Sequence, residues 1–466
     1  MVLLLTVCAM TLEKTRFHTT HVGVQVLFLP TMHDGGRREE EKGVMSGQQS
    51  LVSIVVPTHN SAEYLRQCLD SIIGQTYRRL QIICVDDGST DETVQILDSY
   101  AKADSRLSYV TQENRGAGVA RNRGLDQATG DYLLFFDSDD WMADDLVQCA
   151  VSRAEECEAD IVVFPIVEAF GTSELLRETP WLILEDKFPQ DVFSWRDNPD
   201  WIFRALQNYP WNKLLKMSLV RENDLRYQEI FLTEDLMFMA PALVCARRIC
   251  LLRQNVVYHR VGISTNVMSF KDAHPLDFYT AFRELKRWLE RSGYFDELRV
   301  AYTNWAINAC KYNLDTLNGF ETFSMVYEKI RDEVIDELEL DSLQVDEYQG
   351  PENLEFLRTM RDGMSPAEYL IGLFRRVDAD CMRLQFVDSH MHYQAERLNG
   401  RIDELAGEIE NLCDEAEARK EDLAIARREA EELRRSTSFR LGNAMLRPLS
   451  GFKGLRGAWR RHEGRV

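Results

Sequence analysis

Three carboxylates and a hydroxyl stand in succession at Asp137, Ser138, Asp139 and Asp140, directly after the apolar stretch Tyr132, Leu133, Leu134, Phe135, Phe136. Carboxylates this close repel one another unless a cation or solvent compensates them. Their oxygen donors suit Mg2+ or Mn2+, ions that commonly bridge to substrate phosphates. A helix cap ahead of Trp141 would account for Asp140 but not for the whole run. A second acidic group, Asp86, Asp87, Gly88, Ser89, Thr90, Asp91, closes the apolar stretch Ile82 to Val85. A carboxylate at the carboxyl end of a strand can accept hydrogen bonds from a base or ribose, and Gly88 lets a backbone approach closely. A strand-to-helix turn capped by Ser89 or Asp91 is the plainer alternative. The third group runs from Asn114 to Gly124, with Arg115, Arg121 and Arg123 interleaved with Gly116, Gly118 and Gly124. Arginines and glycines at a loop-to-helix junction make an anion site. Gly116, Gly118 and Ala120 also invite comparison with a dinucleotide fingerprint, Asp137 lying 21 residues beyond Gly116. An NAD(P)-dependent dehydrogenase using Gly116 to Ala120 is therefore an alternative, though it leaves Asp139 and Asp140 unexplained and places the fingerprint away from the first strand of its unit.

The elements that must position these groups alternate. Leu51 to Val56, closed by Pro57, and Leu80 to Val85 read as buried strands. Between them Tyr64, Leu65, Cys68, Leu69 and Ile72 recur at helical spacing over Ala62 to Ile73, with Ser61 available as N-cap. A helix over Glu92 to Ala103, a strand at Leu107 to Val110, a helix from about Gly118 to Ala128, and strands at Tyr132 to Phe136 and Ile161 to Pro165 continue the pattern. This predicts an α/β fold with a parallel sheet covered on both faces. In such sheets ligands lie beyond the carboxyl ends of the strands, where Pro57 to Asn60, Asp86 to Asp91 and Asp137 to Asp140 all fall.

Taken in order, Val52 to Asn60 (VSIVVPTHN), Tyr64 and Leu65, Val85 to Asp91 (VDDGSTD), Asn114 to Gly124 (NRGAGVARNRG), Gly130 to Asp140 (GDYLLFFDSDD), Trp211 to Leu214 (WNKL) and Thr233 to Leu236 (TEDL) give the chain a clear likeness. Over about residues 50 to 270 it resembles the family 2 glycosyltransferases, inverting enzymes of the GT-A type found in bacterial surface-polysaccharide synthesis. The resemblance implies a Rossmann-like GT-A domain that takes a nucleotide-diphosphate sugar, with Mn2+ or Mg2+ as cofactor. It implies that Pro57, Asn60 and Asp87 contact the nucleotide, a donor side that Asp86 and Arg121 join. Asp137 with Asp139 would hold metal and donor, and Asp140 would share that coordination. It also implies a general base at Asp235, where a carboxylate facing the sugar C1 takes the acceptor hydroxyl's proton. The plainer reading of Glu234 and Asp235 is a cap before the apolar stretch Leu236 to Val244. Trp211, Asn212, Lys213 and Glu234 fall on the acceptor side. His259 would be a late metal ligand and Arg260 a partner of the diphosphate, although a lone histidine after an apolar stretch is more often structural.

The remaining features concern organisation. At 466 residues the chain exceeds what one core supports, so further modules are expected. A net charge of -21 argues against nucleic acid as a partner. Ten scattered cysteines without a CxxC pair suit free thiols in a reducing cytosol. Residues 1–45 show no sustained periodicity and read as disordered or as a mis-assigned start ahead of Met45. The apolar Val2 to Leu5 has no basic residue before it, which argues against a secretory signal. The GT-A domain is placed at 46–270 and a helical region at 271–390. A coiled coil follows at 391–434, where Leu398, Ile402, Leu405, Ile409, Leu412, Ala416, Leu423, Ala426, Ala430 and Leu433 keep a heptad seam broken at Arg419. That seam would make a homo-oligomer, with one amphipathic helix folded onto the catalytic domain as the plainer reading; a non-catalytic coiled-coil scaffold is a further alternative to an enzyme. The tail, 435–466, interleaves Phe439, Leu446, Leu449, Phe452, Leu455 and Trp459 with arginines. Such a tail could rest on an anionic lipid surface, which suits a glycan or lipid-linked acceptor at the inner face of the cell membrane.

Overall fold

A computed structural model describes residues 49–170, 176–253, 257–262 and 271–375, with 407, 411, 414, 417–432 and 435 beyond them. The first half alternates as the apolar pattern predicts. Strands β1 (Val52–Thr58), β2 (Leu80–Asp86), β3 (Leu107–Thr111) and β4 (Tyr132–Phe135) are joined by helices α1 (Leu65–Ile73), α2 (Thr93–Ala103) and α3 (Ala117–Gln127). After β4 come β5 (Trp141–Met142), α4 (Leu146–Glu156), β6 (Ile161–Val163), β7 (Ile166–Phe170), β8 (Leu176–Glu178), β9 (Val192–Phe193) and α5 (Ile202–Leu206). Then follow β10 (Lys213–Lys216), α6 (Met217–Glu222), α7 (Leu236–Cys245), β11 (Ile249–Leu251) and β12 (Val257–Val261).

The main sheet has the order β3-β2-β1-β4-β10-β6-β11-β9, and a smaller one runs β5-β12-β7-β8. Strand β1 pairs in parallel with both β2 and β4, with Val52 level with Leu80 and Tyr132. This common register brings the loops after all three strands out at the same edge. The sheet is not wholly parallel. Strand β10, which carries Lys213 and Leu214 of the WNKL motif, inserts antiparallel between β4 and β6. Side chains alternate between two cores: Val55, Ile83 and Val85 belong to one, and Ile54, Val56, Ile82 and Cys84 to the other. Burial on both faces is why these strands read as continuous apolar runs. Helix α3 packs against β1 at Gly124, where an added methyl would lie 2.3 Å from Val55 Cγ1.

The helical region comprises α8 (Asp277–Arg291), α9 (Phe295–Asp315), α10 (Phe320–Lys329), continued through a π-helical turn at Ile330–Val334, and α11 (Pro351–Arg361). It is not a free-standing appendage. Phe278, Phe282, Leu285, Tyr302, Val326 and Val334 lie in the same buried core as Val55 and Phe135. Trp305 stacks on Phe203 of α5 at 5.1 Å, continuing that core across the boundary. Most of the expected coiled coil, all but residue 435 of the basic tail, and residues 1–45 fall outside the described residues; within the coiled-coil span, 417–432 are helical and exposed. Among the described residues no helix is long and apolar enough to cross a membrane.

Candidate active site

The loops after β1, β2 and β3 are tied to one another by side chains. Asp87, buried, accepts hydrogen bonds from Arg115 N at 2.9 Å, Gly116 N at 2.8 Å and Gln112 Nε2 at 2.8 Å. Asp86, also buried, accepts from Ser89 N. Asn60, at φ 47°, accepts from Thr90 N through Oδ1 at 2.8 Å, and its own N–H donates to Ser89 Oγ. Pro57 pairs with Val85 in the β1–β2 ladder just before these loops. The amides of Arg115 and Gly116, which a dinucleotide's pyrophosphate would need, are taken by Asp87. The stretch also follows β3 rather than β1, so the dehydrogenase alternative loses its physical basis.

The acidic run leaves β4 with its members in different surroundings. Asp137 accepts from Arg121 Nη2 at 2.8 Å. Ser138 Oγ lies 2.7 Å from Ser61 Oγ. Burial, then the charges of Asp140 and Asp137, raise the Asp139 carboxyl to about 7. Asp140 is wholly buried and accepts from Arg260 N at 2.8 Å and His259 Nδ1 at 3.0 Å. Burial alone would lower the His259 pKa, but Asp140, with Asp139 and Asp137 behind it, raises it to about 9. Asp140 and His259 thus form an ion pair that ties the residue before β5 to β12, the strand with which β5 pairs. Arg260 is likewise buried. Its guanidinium lies over the rings of Tyr64 at 4.4 Å and Trp141 at 4.8 Å, and it donates to Asp139 O and Gln67 Oε1. Among the described residues no three His, Cys, Asp or Glu side chains form a ready metal site. The donor chemistry of Asp137 and Asp139 nevertheless fits a divalent cation, since of two carboxylates at short sequence distance one shares Arg121 with Glu234 and the other is driven toward its protonated form by burial and like charge.

Arg121 joins the two ends of the site. Its Nη2 reaches Asp137 and its Nη1 reaches Glu234 Oε1 at 2.7 Å. The guanidinium is buried and its Nε has no partner. Arg121 is therefore an internal bridge and not an open anion site, and Glu234 is spent on it instead of facing an acceptor. Gly118 permits this approach, since a methyl there would lie 2.8 Å from Glu234 Cγ. Asp235 begins α7, yet its side chain makes no capping bond. Capping does not explain it. Burial first, and the Glu234 charge second, raise its carboxyl to about 8, against the opposing effect of Arg121. Thr233 just before the pair adopts φ 64°, a strained position for a β-branched residue and one that clusters at functional sites.

Residues 53–210 match the model of glycosyl transferase family 2. The domain belongs to that family. The match ends one residue before Trp211, so the Glu234–Asp235 pair and His259 lie beyond it. The chain is 33% identical over 237 residues to the glycosyltransferase GlyA of Streptococcus pneumoniae serotype 4, covering 48% of this chain and 33% of that protein. It is 30% identical over 229 residues to the putative glycosyltransferase EpsH of Bacillus subtilis, covering 47% of this chain and 63% of EpsH. It thus spans between a third and two thirds of the length of these relatives. Superposition on Staphylococcus aureus TarS 1-349 in complex with UDP-GlcNAc gives a TM-score of 0.42 at 22% identity, over 67% of this chain and 92% of that one. The sheet and the family together describe a GT-A-like α/β domain.

Just past the matched span, the side chains of the motif WNK are engaged inside the protein. Asn212 and Lys213 are fully buried. Asn212 Nδ2 donates to Phe164 O, and Lys213 Nζ donates to Tyr209 O at 2.8 Å and Asn212 Oδ1 at 2.7 Å. Trp211 is sandwiched between Tyr209 at 5.2 Å and His259 at 4.7 Å, leaving no ring face for a sugar. These polar side chains serve a central antiparallel strand whose neighbours need pairing. Sequence reasoning missed the segment before the pair. Phe231 is 40% exposed and stacks on His274, while its N–H and that of Leu232 both donate to Asp277 Oδ2 at 3.0 Å. An aromatic residue three positions before an acidic pair was the available signal.

Proposed function

We propose that the chain transfers a glycosyl group from a nucleotide-diphosphate sugar to a hydroxyl acceptor, with inversion, in bacterial cell-surface glycan synthesis. The loops held by Asp87 and Asn60 take the nucleotide, and Asp137 with Asp139 would hold a divalent cation, which when bound supplies countercharge for the departing diphosphate. Asp235 takes the proton of the acceptor hydroxyl as that oxygen bonds to the sugar C1 and the bond from C1 to the diphosphate oxygen breaks on the opposite face. One observation carries this reading. Arg121 spans Asp137 and Glu234, so the acidic run of the donor side and the residue beside Asp235 share a single buried cation. The raised Asp235 carboxyl supports the role of base, since a group near 8 takes a proton more readily than an ordinary carboxylate once ionised. Thermal stabilisation by UDP or GDP that requires Mn2+, followed by nucleotide release from the matching sugar donor, is the expected result. Silence to every nucleoside diphosphate with and without Mn2+ overturns it. A lipid-linked acceptor, membrane contact through the basic tail and self-association through the heptad seam are parts of the same proposal.

A further inference from the structure

The WNK side chains are buried, whereas the segment just before Asp235 carries an exposed aromatic residue. We propose that Phe231 is the stacking face of an acceptor-sugar subsite, held in place by the first turn of α8; this rests on the transferase reading above. A single exposed phenylalanine means little by itself. This one is fixed three times over by different elements. Its ring stacks on His274 at 4.4 Å with an interplanar angle of 25°. Its N–H and that of Leu232 converge on one oxygen of Asp277, the first residue of α8. Two residues later, Thr233 is held at positive φ, so the chain turns sharply into Glu234 and Asp235.

The location matches the task. A methyl added at Gly116 would lie 3.5 Å from Phe231 Cδ1, so the ring borders the loop that Asp87 holds on the donor side. Glu229 in the same segment pairs with Arg115 at 2.7 Å, tying the segment to that loop a second time. The ring therefore borders the donor loop four residues before Asp235 in the chain, with one face against His274 and 40% of the residue open to solvent. A pyranose presents an apolar face of C–H groups, and a rigid aromatic ring covers such a face while leaving the sugar hydroxyls free to react. The helical region thus contributes to the site through His274 and Asp277, which explains why its core is continuous with that of the sheet.

The test uses the full chain with UDP-glucose, UDP-GlcNAc and GDP-mannose as donors, methyl hexopyranosides as acceptors, and release of nucleoside diphosphate as readout. Phe231→Ala is expected to raise the half-saturating acceptor concentration about tenfold, with kcat changed less than about threefold. Phe231→Trp restores acceptor affinity, whereas Phe231→Leu, apolar but not aromatic, does not. Unchanged acceptor half-saturation in Phe231→Ala, or a Trp variant as impaired as the Ala variant, overturns the subsite and leaves the transferase reading standing. A wild-type chain that releases no diphosphate from any of these donors with any acceptor, and binds none of their nucleotides, overturns both.

Discussion

Two groups of carboxylates lie at the same edge of the sheet and are treated in opposite ways. Asp86 and Asp87 are buried and supplied with donors: Ser89 N for the first, two loop amides and Gln112 for the second. Asp139 and Asp235 are supplied with burial and like charge, which raise them to about 7 and about 8. A carboxylate given amide donors holds loops together, at no risk to the fold. One given neighbours of its own sign is costly to ionise and is kept where chemistry or a cation can use it. The difference separates scaffold from reactive groups more reliably than position in a motif does, and substitution on each side tests it.

The largest effect is expected at Asp235. Asp235→Asn should lower turnover about a thousandfold or more, since a positioned base contributes on that order. It should also stabilise the fold. Burial and Glu234 raise the folded-state carboxyl to about 8, so the folded protein keeps a proton that the unfolded chain releases near the ordinary carboxylate value. The stability linked to that proton is complete at acid pH and is lost as pH rises toward 8, at about 1.4 kcal/mol per unit. Asparagine has no proton to lose, so the melting temperature of the variant should exceed wild type by a margin that widens from pH 5 to pH 8. A margin that narrows over this range would contradict the raised carboxyl. Wild-type turnover should climb with pH toward a plateau above about 8. Arg121→Ala comes next. It leaves Asp137 and Glu234 without their shared cation and should cost about 3–5 kcal/mol in denaturant unfolding. Arg121→Lys should recover part of this, because one ammonium cannot reproduce two forks of a planar guanidinium. Equal stability of the alanine variant and wild type would mean that the bridge does not join the two sides.

The donor side was the more legible of the two. Strand runs such as Ile82, Ile83, Cys84, Val85 are buried on both faces, and the acidic groups follow directly at their carboxyl ends, so period, position and chemistry agree. What Asp87 does there was not legible, because its three donors come from residues 25 to 29 positions away. The acceptor side was read less well. Lys213 and Asn212 are polar and follow a tryptophan, which suggests a surface, but tertiary pairing places Lys213 at the start of a central antiparallel strand and Asn212 just before it. Arg121 lies 16 positions from Asp137 and 113 from Glu234, a bridge that no local pattern records. His259 and Asp140, 119 apart, are joined in the same way.

On the scaffold side the expected effect is smaller and of a different kind. Asp87→Ala strands the amides of Arg115 and Gly116, at a cost of about 1–3 kcal/mol. Stability and nucleotide affinity should fall together, because the loop that the amides hold is the one the nucleotide meets. Calorimetry against UDP and GDP, paired with denaturant unfolding, checks this. A loss of affinity with stability unchanged would show instead that Asp87 touches the nucleotide itself and is no scaffold.

Lys213 gives the finest test, since it separates a buried structural amine from an acceptor-side group. Burial pushes Lys213 down to about 7, so above that pH the folded protein holds a neutral amine while the unfolded chain stays charged until about 10. Its contribution to stability is absent below 7 and grows as pH rises toward the unfolded value. Lys213→Met fills the same space but leaves Tyr209 O and Asn212 Oδ1 without their donor, which should cost about 1–2 kcal/mol. The deficit should be larger at pH 9 than at pH 6, because methionine removes the part of wild-type stability that rises over that interval. Turnover per folded molecule should stay within about threefold of wild type if the amine, wholly buried and bonded to Tyr209 O and Asn212 Oδ1, is structural. A loss of about a hundredfold with stability intact would return Lys213 to the acceptor and undo the contrast between the two sides.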